Sequence, residues 1–145
     1  AWACADPGIQ YDDTINEWHT NPETGRINAS NPCSEYMSLD NSSCNLASIN
    51  LLKFLKPDGS FDVKTFVKVT ELVITSMDIS ICFADFPTPA IGQTTRDFRQ
   101  LGIGYANLGA LLMALGLAYD SEGGRALAGA ITSVLTGVSY RRGFG

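Results

Sequence analysis

Two stretches organise this 145-residue sequence: Asn28-Ala-Ser-Asn-Pro-Cys-Ser-Glu35 and Asn41-Ser-Ser-Cys-Asn-Leu46. Both are rich in Asn and Ser, the first contains an Asn-Pro step, and neither has helical periodicity, so residues 1–50 are predicted to be loop-rich. Cys44 follows Cys33 by eleven residues, which places two thiols in this region. Long irregular segments in compact proteins are usually functional, since loops are otherwise kept short.

The first stretch carries an amide, a thiol and a carboxylate at alternate positions, Asn31, Cys33 and Glu35. In an extended segment these side chains share one face. They would then combine a reactive sulfur, a proton acceptor and an amide that orients a hydroxyl group. The residues also fit a turn at Asn31-Pro32 with a buried cysteine and a solvated glutamate, and taken alone they favour that simpler interpretation.

The charges around Cys33 indicate which chemistry its thiol would suit. Its nearest charged neighbours, Glu35 and Asp40, are acidic and favour the neutral thiol over the thiolate. His19 is the only histidine, and its distance along the sequence does not decide whether it acts as a base. A protonated thiol suits hydrogen-atom transfer better than nucleophilic attack.

Composition excludes several classes of function. Ten basic and fifteen acidic residues give a net charge of −5, which does not favour binding to nucleic acid or to an anionic membrane. The single histidine and the wide cysteine spacing argue against a metal site. The N-terminal region has acidic residues where a signal peptide has basic ones, so we expect a reducing, cytoplasmic location.

Residues 62–142 are predicted to be mainly helical, with three helices after a short helical segment. The helical segment covers Leu46 to Leu55, and the helices cover Asp62 to about Phe86, Thr94 to Leu117, and Ser121 to Tyr140. The first has Asp62 as its N-cap and an apolar face of Phe66, Val69, Val73, Met77 and Ile81. The second contains an uncharged run, Gln100 to Tyr119, whose glycines and polar residues favour a buried helix over a membrane span.

The segments Ser30-Asn-Pro-Cys-Ser-Glu35 and Ser42-Ser-Cys-Asn-Leu-Ala-Ser-Ile-Asn-Leu51 together resemble the catalytic finger loop of ribonucleotide reductases. More narrowly, they resemble the adenosylcobalamin-dependent class II enzymes that reduce ribonucleoside diphosphates. The resemblance extends to about Arg142 and includes Asp6-Pro7-Gly8-Ile9, Arg99-Gln-Leu-Gly-Ile-Gly104 and Asn107-Leu-Gly109.

The resemblance implies an α/β fold. Residues 1–145 would be part of the family's ten-stranded α/β barrel, comprising the finger loop, which threads the barrel, and about three helices packed outside it. The whole protein would bind adenosylcobalamin, deoxynucleotide effectors and a thioredoxin-like reductant, and would form a homodimer. The residues that hold the cofactor are not assigned in this chain.

The resemblance also implies roles for matching residues. Cys33 would become a thiyl radical that abstracts the ribose 3′ hydrogen, Glu35 would take the 3′-hydroxyl proton, and Asn31 would hydrogen-bond to the same region. Cys44 would be one of two reducing cysteines, whose disulfide is later reset by thiol exchange. The substrate-binding loop would consist of Ser30, Asn31, Pro32, Cys33, Ser34 and Glu35.

Two alternatives remain open at this point. One is a class I large subunit, in which a second subunit supplies the radical, and the other is a helical interaction module without catalytic activity. Cys4 and Cys82 match no catalytic position, so both are predicted to be structural, with Cys82 in the apolar core of the first helix.

Overall fold

The computed structural model describes residues 2–3 and 8–143 of the chain. These residues divide into two compact units. The first contains the described residues up to Ser43 together with Phe86–Thr95, and the second contains Cys44–Asp85 together with the described residues from Arg96. The predictions made for Cys4 and for Asp6-Pro7 lie outside the described residues.

The first unit consists of short elements that are held together partly by hydrogen bonds from side chains to the backbone. Its elements before Ser43 are α1 (Asp12–Glu17), a 3-10 turn (Pro22–Thr24), β1 (Ala29–Ser30) and β2 (Met37–Ser38). The Asn16 side chain donates to the carbonyl of Ile27 (3.0 Å) and accepts from its N–H (2.9 Å). Arg26 pairs with Asp12 on α1. These bonds hold the segment before the β1–β2 hairpin against α1, a helix that the sequence did not predict.

A parallel strand pair forms the centre of the second unit. β3 (Asn45–Asn50) pairs with β4 (Leu101–Ala106), from Asn45 opposite Leu101 to Asn50 opposite Ala106. Parallel strands require a long crossover, because the chain must return to the same end of the sheet. Here the crossover contains α2 (Val63–Ile81) and α3 (Pro89–Phe98), and α2 packs against both β3 and α5 (Glu122–Gly143).

Two predicted helical segments are wrong in part. The segment from Leu46 to Leu55 is strand as far as Asn50 and then a 3-10 turn over Leu51–Phe54. The predicted helix from Thr94 to Leu117 is three elements, the end of α3, then β4, then α4 (Leu108–Ala114). Leu101, Ile103 and Tyr105 alternate with smaller residues, a period of two that fits a strand. Asn107, at φ 65°, separates β4 from α4.

The first and third predicted helices are confirmed as α2 and α5. Asp62 caps α2, and the buried face contains Phe66, Thr70, Ile74, Met77 and Ile81. Val69 and Val73, which the sequence placed on that face, are only half-buried. α2 ends at Ile81, before the predicted proline-rich stop, and Pro89 instead begins α3, where its missing N–H costs no helical bond.

The core of the second unit lies between the strand pair and the helices. Its buried members are Ile49, Leu51, Phe54, Phe66, Leu111, Ile131 and Leu135. Phe54, Phe61 and Phe66 meet with tilted or edge-on rings at centroid distances of 5.3–5.8 Å. The fold is therefore mixed α/β, as predicted, but the described residues contain two separate two-stranded sheets and no closed barrel. None of their helices is long and apolar enough to cross a membrane.

The cap of α2 should make the start of this helix sensitive to acid. Asp62 accepts the Thr65 N–H (3.1 Å) and the Thr65 hydroxyl (2.9 Å), and these bonds hold the pKa of Asp62 below its ordinary value. The stabilisation is therefore present above the ordinary carboxyl pKa of about 4 and is lost as the pH falls through the lowered value. Hydrogen exchange at the Thr65 amide, corrected for intrinsic pH dependence, should accelerate over that range.

Two variants provide the control for the cap. Asp62→Ala should expose the Thr65 amide at every pH, because the acceptor is removed. Asp62→Asn should retain part of the protection without the acid transition, because its side-chain oxygen is uncharged. Equal protection in the wild type and in Asp62→Ala would contradict the assigned cap.

Candidate active site

The β1–β2 hairpin contains all six residues predicted to bind substrate: Ser30 ends β1, and the other five lie in the loop. The Ser34 N–H donates to the Asn31 carbonyl (3.1 Å), which closes a tight turn, and the Asn31 N–H donates to the Tyr36 carbonyl (3.0 Å), which closes the loop. Pro32 suits the second position of the turn, where its fixed φ is favourable. Ser34 adopts a left-handed conformation, at φ 63°. The segment from Asn31 to Glu35 is therefore a turn, and the extended conformation considered for it is wrong.

The Asn31 side chain stabilises this turn with one end of its amide. Its Oδ1 accepts the Tyr36 N–H at 3.0 Å, so the side chain spans the loop. The amide nitrogen of Asn31 makes no hydrogen bond to any residue that the structure describes. One side chain can therefore fix the loop through its oxygen and offer N–H donors to a ligand.

Gln10 is a loop residue that the sequence interpretation missed. Its Nε2 donates to Oγ of Ser30 and to Oγ of Ser34, each at 3.2 Å. The Ser30 hydroxyl in turn donates to the Asn31 carbonyl at 2.8 Å. Gln10 thus joins the two sides of the turn. No local spacing could have revealed this contact, because Gln10 lies 20 residues before Ser30.

The thiol and the carboxylate are both accessible on the turn. Cys33 and Glu35 are exposed, and Glu35 forms no ion pair with the described part of the chain. The simpler interpretation was therefore correct about the turn and wrong about a buried cysteine. An exposed thiol on an ordered turn is open to a reacting molecule, which a buried structural cysteine is not.

Cys44 begins the second unit, immediately before β3, and is half-buried. A methyl group at position 102 would lie 3.3 Å from the Cys44 Sγ and 2.5 Å from Cδ2 of Leu46, so both side chains lie over Gly102. Asn45 points the other way and donates to the carbonyl of Met77 on α2. Cys44 therefore lies on the face of the strand pair that α2 does not cover, as strand alternation requires.

The prediction that Cys82 lies in the core is wrong. It is exposed, because α2 ends one residue earlier and Cys82 is the C-cap. Arg99 donates to its Sγ (3.6 Å), to Oδ1 of Asp78 (2.7 Å) and to the carbonyl of Asp78 (2.6 Å). The bond to the Asp78 carboxylate, followed by the bond to Cys82, raises the pKa of Arg99 above its ordinary value. Arg99 thereby ties the entrance of β4 to the end of α2.

His19 is half-buried and forms local contacts. Its Nε2 donates to the Gly25 carbonyl (3.1 Å), and its Nδ1 accepts the Asn21 N–H (3.3 Å). Both ring nitrogens therefore stabilise the segment after α1, which is a structural role. Within the described residues no group of three or more His, Cys, Asp or Glu side chains could hold a metal ion.

Comparison with known proteins establishes the family. The model of the ribonucleotide reductase barrel domain matches residues 1–144. A vitamin B12-dependent ribonucleotide reductase of Streptomyces avermitilis is 79% identical over 98% of this chain, and one of Rhodopirellula baltica is 51% identical over 97%. A vitamin B12-dependent ribonucleoside-diphosphate reductase of Mycobacterium tuberculosis is 42% identical over 84%.

The chain therefore belongs to the ribonucleotide reductase family and represents part of its barrel domain. It spans 15%, 14% and 18% of the length of these three relatives. The mixture of helices and strands agrees with a piece of such a domain.

Substitutions of Asn31 should distinguish the role of its side-chain oxygen from the role of its amide nitrogen. Asn31→Asp keeps an oxygen for the Tyr36 N–H but removes the N–H donors, whereas Asn31→Ala removes both. We expect hydrogen exchange at the Tyr36 amide to accelerate in Asn31→Ala and to remain slow in Asn31→Asp. If the amide nitrogen binds substrate, both variants should lose nucleotide reduction when assayed in the whole enzyme. Rapid exchange in both variants would contradict the assigned role of Oδ1.

Proposed function

We propose that this chain carries the radical-forming cysteine and one reducing cysteine of a vitamin B12-dependent ribonucleotide reductase. The carrying observation is the exposed Cys33 thiol on a turn ordered by Asn31, within a chain that matches the family's barrel domain over residues 1–144. The name of the Mycobacterium tuberculosis relative supports ribonucleoside diphosphates as substrates.

The first chemical task belongs to Cys33. As a thiyl radical, its sulfur removes the 3′ hydrogen atom of the ribose, so an S–H bond forms, the C3′–H bond breaks and a carbon radical remains. Glu35 accepts the 3′-hydroxyl proton, and Asn31 donates to an oxygen of the same region. The exposure of Cys33 and Glu35 supports these roles, since both groups must touch the substrate.

The second task belongs to Cys44 and a second cysteine that is not assigned in this chain. Two thiols together provide two electrons and two protons. The 2′ hydroxyl leaves as water, a C2′–H bond replaces the C2′–O bond, and the thiols become a disulfide. The Cys33 sulfur then returns the hydrogen atom to C3′, and Glu35 returns its proton to the 3′ oxygen. The location of Cys44 on the face without α2 supports its access to substrate.

Adenosylcobalamin, when bound, supplies the radical chemistry that removes the hydrogen atom from the Cys33 thiol. The accessible thiol fits this requirement, because a buried sulfur could not exchange a hydrogen atom with a bound group. The residues that bind the cofactor are not assigned within this chain. The contribution of the hairpin loop is to hold Cys33, Glu35 and Asn31 in a fixed order around the substrate.

The whole protein is proposed to act in the cytoplasm as a homodimer regulated by deoxynucleotide effectors. A thioredoxin-like protein would reset the disulfide by thiol exchange, which requires a reducing compartment. The names of the relatives favour a cobalamin-dependent enzyme over a class I large subunit. If the whole enzyme's activity depends on added adenosylcobalamin and needs no second metal-bearing subunit, the protein is the cobalamin-dependent enzyme and not a class I large subunit.

Cys33→Ser should abolish deoxynucleotide formation by the whole enzyme, because the serine O–H bond is too strong for hydrogen-atom exchange. The matched control is Cys82→Ser, which changes another exposed cysteine and keeps an acceptor for Arg99. Product formation should be measured with adenosylcobalamin and a ribonucleoside diphosphate. Turnover retained in Cys33→Ser would exclude the radical role and favour a non-catalytic module.

Cys44→Ser should still allow radical formation but stop multiple turnover, because one of the two reducing thiols is missing. Radical formation can be followed by electron paramagnetic resonance, and turnover by steady-state product formation in the presence of a dithiol. Cys82→Ser again serves as the control. Normal steady-state reduction in Cys44→Ser would rule out the proposed reductant role.

A further inference from the structure

We propose that Asn45 is a positioning residue that fixes the Cys44 thiol for the reducing step. The inference rests on the reductant role proposed for Cys44. Asn45 follows Cys44 directly and is the first residue of β3. Its Nδ2 donates to the carbonyl of Met77 at 2.8 Å and to Oγ of Ser80 at 2.6 Å. Both acceptors belong to the last turns of α2.

The two acceptors are themselves held in place. Met77 is buried, with 5% of its surface exposed, and the Ser80 hydroxyl donates to the Met77 carbonyl at 2.8 Å. The Ser80 hydroxyl hydrogen is thereby directed at Met77, which leaves its oxygen to accept from Asn45. An amide whose donor nitrogen bridges two fixed acceptors has little rotational freedom.

The backbone of Asn45 provides a third attachment. Its N–H donates to the Gln100 carbonyl at 3.1 Å, so the start of β3 is held by α2 and by the chain that enters β4. Because successive side chains of a strand point to opposite faces, holding Asn45 towards α2 directs Cys44 to the other face. Gly102 leaves the space that the thiol occupies there.

The reducing step needs this precision. Two thiols that form a disulfide must bring their sulfur atoms to about 2 Å in a narrow range of geometry. A displacement of a reacting group by about 1 Å can cost about 100-fold in rate. An untethered Asn45 would let the start of β3 and Cys44 move, although no atom of Asn45 needs to touch the substrate.

The test is Asn45→Ala in the whole enzyme, with Asn50→Ala as the matched control. Asn50 is at the opposite end of β3 and also uses its side chain structurally, since Oδ1 accepts from the Leu52 N–H and from Nδ2 of Asn107. We expect kcat to fall about 10- to 100-fold in Asn45→Ala with the nucleotide KM unchanged. Asn50→Ala should keep the kcat of the wild type.

A second readout follows the thiol itself. In a single-turnover reaction without external reductant, the fraction of Cys44 in a disulfide at a fixed early time, measured by mass spectrometry, should be lower in Asn45→Ala than in the wild type. Radical formation at Cys33 should persist. Ser80→Ala, which keeps the Met77 carbonyl as acceptor, should show a smaller loss of kcat and provides the test if Asn45→Ala does not fold.

The outcomes separate this inference from the proposed function. An unchanged kcat in both Asn45→Ala and Ser80→Ala would overturn the positioning role, as would an equal loss in Asn50→Ala, which would indicate general weakening of the strand. Should Cys44→Ser keep normal turnover, the proposed function of Cys44 fails independently of Asn45. Loss of turnover in Cys44→Ser with normal Asn45→Ala refutes the positioning role alone.

Discussion

The parallel pairing of β3 (Asn45–Asn50) with β4 (Leu101–Ala106) is the constraint on which the second unit depends. Fifty residues separate the two strands, so the pairing imposes a crossover, and the crossover provides the helix that covers one face. That one-sided cover distinguishes the two faces of the strands. Asn45 faces α2 and Cys44 faces away from it, so the proposed redox residue owes its accessibility to strand pairing rather than to any local motif.

The hairpin loop achieves order in a different way. It has only two residues in each strand, and its stability comes from side chains that replace backbone partners. Asn31 bridges the loop to the Tyr36 N–H, and Gln10 joins the hydroxyls of Ser30 and Ser34. A turn held in this manner can present a small set of groups rigidly while it leaves Cys33 exposed. Such pre-ordering would suit the radical role proposed for Cys33, because misplacement of a reacting atom is costly.

Elements with strong local signals were predictable. Asp62 caps α2 as expected, and Ser121 accepts the Gly124 N–H at the start of α5. The segment after Phe98 was assigned to a helix because its uncharged, apolar run is as consistent with a buried helix as with a buried strand. Only the partner strand, more than fifty positions away in sequence, decided in favour of β4. Cys82 was misplaced for a related reason, since the helix end could not be located to within a turn.

The sequence by itself determined the chemical inventory: the Asn31, Cys33 and Glu35 cluster, the second thiol at Cys44, and the family to which their motifs belong. These are properties of neighbouring residues, and the resemblance of their motifs to a known family gave them a functional meaning that spacing alone did not. The tertiary structure decided how those groups are presented. It showed a turn instead of an extended segment, because backbone hydrogen bonds close the loop at Asn31. It also placed the Asn45 side chain against α2, through a hydrogen bond to a residue more than thirty positions away. Long-range hydrogen bonds and strand pairing have no local signature, and for that reason they emerge only from the folded chain.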